Sequence, residues 1–88
     1  MKLSPQDIAH LKRLTALNCH GEAYEAACAM LKLPALQERL AKINSEQERL
    51  GHLTFELSGQ RRMVYAQMLQ HANAKMSHQD FETFRMCF

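Results

Sequence analysis

Five histidines and three cysteines are the side chains of this 88-residue sequence best suited to metal binding or nucleophilic chemistry. Zinc takes its protein ligands in pairs about two to four residues apart. Cys19 and His20 are instead adjacent, and His71 and His78 stand seven apart across an expected helix break. That spacing leads us to expect neither a metal nor a cofactor. A cysteine nucleophile needs a base and an orienting group around it in a pocket. A small helical chain with three glycines has little material for one. Glu46, Glu48 and Glu56 lie in polar or helical contexts and read as a solvated face. No glycine-rich phosphate loop is present. The expectation is therefore a protein that is not an enzyme and has no catalytic residue. Cys19, Cys28 and Cys87 are odd in number and form no C-x-x-C pair, so they are expected to be reduced thiols.

The remaining polar chemistry is basic. Arg61 and Arg62 are adjacent and expected to be exposed, where cations can meet phosphates. The net charge is only +2 and thinly spread, so electrostatics alone argues weakly for a nucleic-acid partner. An apolar fraction of 47% excludes wholesale disorder and fits one small domain over residues 1–88. No stretch approaches the roughly 18 apolar residues of a membrane span. Met1-Lys2-Leu3-Ser4-Pro5 turns polar at once, so no signal-peptide core is seen and the cytoplasm is the expected compartment.

The elements that must position these groups are mainly helical. Ser4-Pro5-Gln6-Asp7 offers a cap, a proline and an acid at a helix start. Ile8, Leu11, Leu14 and Leu17 follow at helical spacing, and Gly21 reads as the stop. Tyr24, Ala27, Cys28 and Leu31 make the stripe of a second helix. Pro34 opens a third, with Leu36, Leu40 and Ile43 inward and Gln37, Arg39 and Lys42 away from them.

Beyond Gly51 two patterns compete. Leu53, Phe55 and Leu57 alternate with Thr54, Glu56 and Ser58, which is strand period. With Ser58-Gly59 as a turn and Arg62 to Tyr65 returning, residues 51–66 read as a β-hairpin with basic residues at its tip. The competing pattern is a heptad row, Leu36, Ile43, Leu50, Leu57 and Val64. Its companion positions Leu40, Gln47, Thr54, Arg61 and Met68 turn polar in the middle, a poor coiled-coil seam. Residues 66 to 76 are again helical, Ser77-His78-Gln79-Asp80 restarts a helix, and Phe81, Phe84 and Phe88 share one face.

Taken in order, these residues resemble the N-terminal winged helix-turn-helix of LysR-type transcriptional regulators. The likeness lies in Leu11 to Leu17, His20-Gly21, Ala26-Ala27 and Met30, then Pro34-Ala35-Leu36 with Leu40 and Ile43. It continues through Leu50-Gly51, Phe55-Glu56, Ser58-Gly59 and Arg61-Arg62 to Met68-Leu69 and His71-Ala72. Gln37 and Glu38 stand where that family usually has serine and a basic residue. The resemblance implies a DNA-binding regulator without an effector domain. Its third helix would enter the major groove, Gln37 and Arg39 reaching base edges, with Lys42, Arg61 and Arg62 on phosphates.

The expected fold is thus a mainly α winged helix: a three-helix core over residues 4–50, a wing over 51–66, and dimerising helices over 66–88. Met68, Leu69, Phe81, Phe84 and Phe88 are the expected homodimer face, because three phenylalanines on a terminal helix would otherwise be exposed. The alternative is an all-α bundle with a long helix or helical hairpin across 34–76. That chain would be an adaptor, inhibitor or chaperone acting on a protein partner. Residues 51–66 discriminate: strands favour the regulator, helix the interaction protein.

Overall fold

The computed structural model describes all 88 residues, and they form five helices and no strand. Four of the five helices begin where the sequence supplies a cap or a proline, and the second is the exception. In α1 (Pro5–Ala16) the Ser4 hydroxyl accepts from the Asp7 N–H at 3.1 Å, and the Asp7 carboxylate accepts from the Ser4 N–H at 3.2 Å. This reciprocal box satisfies two amides that the helix cannot bond itself.

The first stop is Asn18, not Gly21. Asn18 takes φ +60°, and the Cys19 and Asn18 amides bond back to the Leu14 and Thr15 carbonyls. That is a Schellman closure, and asparagine tolerates its left-handed residue. Gly21 lies instead in the first turn of α2 (His20–Met30). α2 closes the same way, with Lys32 at φ +59° and the Leu33 amide on the Cys28 carbonyl. Pro34 then opens α3 (Pro34–Leu50), which ends on Gly51 at φ +79°.

The segment expected to be a wing is helical. After Gly51-His52-Leu53-Thr54 the chain enters α4 (Phe55–Lys75), capped by the Thr54 hydroxyl on the Leu57 amide at 3.1 Å. Leu57, Arg61, Val64, Met68 and Ala72 are buried at spacings of three and four, which is the stripe of a packed helix. The apparent strand alternation is an accident of composition: of Leu53, Phe55 and Leu57, only Leu57 is buried. The heptad row proves partly real, but Gly51 folds it back on itself. Arg39 meets Gln67 and Asn44 meets Arg61, a descending register that makes α3 and α4 an antiparallel hairpin. The architecture is therefore the all-α bundle with a helical hairpin, and the winged helix is corrected.

Ser77 caps the short α5 (His78–Arg85), which folds onto α4. α2 lies between α1 and α3 and also touches α4. One apolar core joins all five helices, through Leu11, Cys28, Leu40, Val64, Met68 and Phe84 among others. No helix is long and apolar enough to cross a membrane.

Candidate functional site

Two features of the α3–α4 hairpin stand out, one on each flank. The first is a polar layer where α2, α3 and α4 meet. Arg61 is 9% exposed, and its Nη2 donates to Asn44 Oδ1 at 2.8 Å and to Gln47 Oε1 at 2.5 Å. Asn44 Nδ2 in turn donates to the Gly21 carbonyl at 3.2 Å and to Glu25 Oε2 at 3.1 Å. Arg61 takes part in none of the ion pairs, and its buried Nε has no partner. Burial pulls its pKa below the ordinary arginine value, partly countered by Tyr24. Arg61 is thus a structural cation holding three helices in register. It is not the exposed wing residue expected from the sequence, because its position falls on the inward stripe of α4.

The second feature is a groove of ≈ 910 Å³ along the opposite flank. Ile43, Leu57 and Val64 belong to the core and form its floor, while Leu50, Phe55 and Met63 rise beside it. Phe55 is 90% exposed and Met63 60%. Arg39 and Lys42 line one end, and Glu46 and Glu56 lie toward the interhelical turn. Arg39 Nη1 donates to Gln67 Oε1 at 3.0 Å, and Lys42 stands 3.9 Å from Glu38. Glu46 is bonded by the Arg49 guanidinium, which holds its carboxyl below the usual range. It therefore stays anionic at neutral pH.

The other expected site residues are scattered. Gln37 is half-buried on α3, and Arg62 is exposed outside the groove. The terminal aromatic face turns inward. Met68 and Phe84 are fully buried, and Leu69, Phe81 and Phe88 pack against the same core. Phe88 sits 5.3–5.6 Å, centroid to centroid, from Phe84, Tyr24 and Tyr65. Five helices give the core more apolar surface to cover than the three-helix core assumed from the sequence. Phe84 is buried in that core, and Phe81 and Phe88 are partly covered by it.

No three His, Cys, Asp or Glu side chains lie close enough together to hold a metal. Burial pushes the Cys28 thiol up to about 11, with Glu25 adding to the effect, and raises Cys87 as well. Both are poor nucleophiles at neutral pH. The strand pattern conceals Phe55 and Met63, because it makes both of them parts of a hairpin. Their signal was the heptad pattern, which leaves them off the buried row. Comparison with protein-family models, curated proteins and solved structures finds no match.

Proposed function

We propose that this chain is a non-enzymatic, all-α interaction protein that receives an apolar helical face in the α3–α4 groove. The observation that carries this is the gathering of Leu50, Phe55 and Met63, three of the seven large hydrophobics left exposed, along one groove of the hairpin. Isolated surface hydrophobics are ordinary, but a contiguous set bordering a recess is the signature of a binding surface. An apolar groove between two helices suits the face of a third, with residues of the partner at i, i+3 or i+4, and i+7 as anchors. The three free thiols suit a reducing compartment, so the cytoplasm is where we place it.

DNA recognition by a winged helix loses its hairpin, and Arg61 is committed to the polar layer. One set of variants separates the two readings. Helical peptides selected from a displayed library against the wild type should bind it and lose binding to Phe55→Asp and Met63→Asp. Arg62→Ala should leave that binding unchanged. Peptides that bind the two groove variants as well as the wild type would refute the reading. So would salt-sensitive binding to genomic DNA fragments that is weakened by Arg39→Ala or Arg62→Ala and indifferent to Phe55→Asp.

A further inference from the structure

We infer that the occupant of the α3–α4 groove is a second copy of this chain, seated antiparallel about a two-fold axis running across the helices in the plane of contact. This rests on the groove being a binding face and adds the identity of its occupant. An isologous interface demands a surface complementary to itself. The groove has both halves of such a surface. Its floor is recessed along Ile43, Leu57 and Val64, and Phe55 and Met63 project beside it. Apolar shape alone would also admit other partners. The order of charge along the groove is what singles out a copy.

Lys42 and Glu46 lie one turn apart on α3, about 6 Å along its axis, with Arg39 beyond the first and Glu56 beside the second. A two-fold axis parallel to the helices would stack Lys42 on Lys42 and Glu46 on Glu46. An axis across them reverses the direction and sets Lys42 against Glu46 of the second copy, twice. The outer row of α3 obeys the same operation. Glu38 and Arg49 flank the groove residues in the opposite order, so they too would face each other between copies. Asn44 lies level with Arg61, so the same axis crosses α4 near Arg61 and places Met63 close to the centre of the contact and Phe55 toward its rim. The present partners of these charges, Glu38 with Lys42 and Arg49 with Glu46, are exposed neighbours on one helix. Such pairs hold little energy and are readily exchanged. The product is two helical hairpins packed face to face, a four-helix layer.

Sedimentation equilibrium of the full chain over a concentration series tests this. The wild type should approach twice its 10.1 kDa monomer mass. Met63→Asp should raise the dissociation constant about 30-fold or more, the effect of removing a central anchor, and Phe55→Asp, nearer the rim, should raise it by less but measurably. Both sites are exposed, so helical circular dichroism should be unchanged. Lys42→Glu and Glu46→Lys should each weaken the dimer, and the double exchange should restore it. A monomer at every concentration overturns the inference, as does a dimer indifferent to Phe55→Asp or a double exchange without recovery. If the monomer still takes selected helices through Phe55 and Met63, only the occupant is wrong. If those peptides bind the groove variants unchanged, the groove reading fails as well.

Discussion

Replacing Gly21 by alanine should destabilise the protein, although the same change at Gly59 should stabilise it. Both glycines are helical, and alanine is worth up to about 1 kcal/mol over glycine inside a helix. At Gly59 a Cβ would meet nothing within 4 Å, so Gly59→Ala keeps most of that gain. At Gly21 it would stand 2.5 Å from Asn44 Oδ1 and 2.8 Å from Arg61 Nη2. Both atoms are side-chain ends, but neither is free to move. Asn44 is tied to the Gly21 carbonyl and Glu25, and Arg61 to Asn44 and Gln47. Clearing the methyl group breaks at least the Arg61–Asn44 bond, and hydrogen bonds to a charged group are worth about 1.5–3 kcal/mol. Against a reduced propensity gain in the first turn, the net loss is about 1–2 kcal/mol. For a domain of this size each kcal/mol lowers Tm by about 4–8 °C. Urea melts of both variants read the two signs directly. The cause is checked in an Arg61→Met background, where Gly21→Ala should cost less. Stabilisation by Gly21→Ala, or a penalty unchanged with Arg61 gone, would refute the close-packed layer.

The terminal aromatics and the thiols give two further tests. Phe84→Ala should cost about 3–5 kcal/mol in urea unfolding, as expected for a fully buried phenylalanine. A loss below 1 kcal/mol would mean that α5 is not docked on the core. Cys28 has its pKa raised from 9.0 to about 11 in the folded chain. A raised value means that folding stability is whole below the unfolded pKa and falls as pH climbs through the folded one. Urea midpoints should therefore decline between about pH 9 and 11, with Tyr24 and Tyr65, both raised by burial, steepening the upper end. Cys28→Ala should flatten the early part of that decline; an unchanged slope would show the thiol to be solvated. In the native state a thiolate-specific reagent should reach half-buried Cys19 well before Cys28, and equal rates would contradict the burial.

Much of the fold could be read from local chemistry. Ser4, Pro34 and Ser77 mark helix starts because the orphan amides of a first turn leave few solutions. The inward stripes of α2 and α3 follow from apolar residues at helical spacing, and Ala27, Cys28, Leu31, Leu36, Leu40 and Ile43 are buried. Of the α1 row only Leu11 is buried, and Leu17 is exposed. Stops were harder to read. Asn18 and Lys32 adopt the left-handed turn that glycine advertises, so the sequence points to Gly21 for a stop that lies three residues earlier. Residues 51–66 were misread for a related reason. Leu53, Phe55 and Leu57 alternate with polar neighbours, but the alternation reflects exposed hydrophobics on a turn and a first helical turn rather than one face of a sheet. Exposed hydrophobics distort the very periodicity from which secondary structure is inferred.

Arg61 joins these observations. Its place in the heptad companion row argued against a helical seam, because a charge there breaks an apolar stripe. In the folded chain the charge is buried and the stripe holds, because Asn44 and Gln47 of α3 present two carbonyl oxygens to one guanidinium nitrogen. Gln47 shares that companion row with Arg61 but Asn44 does not, and a polar layer is recognisable only once its members face each other. Polar groups that must be satisfied in a core favour one register over its neighbours, because any slip leaves them unpaired. Shifting α4 by one turn against α3 would part Arg61 from Asn44 and would also move Phe55 and Met63 along the groove floor. The buried layer on one flank thereby fixes the geometry of the exposed apolar face on the other. A variant that loosens the layer, such as Arg61→Ala, should therefore weaken binding at the groove without altering any residue in it.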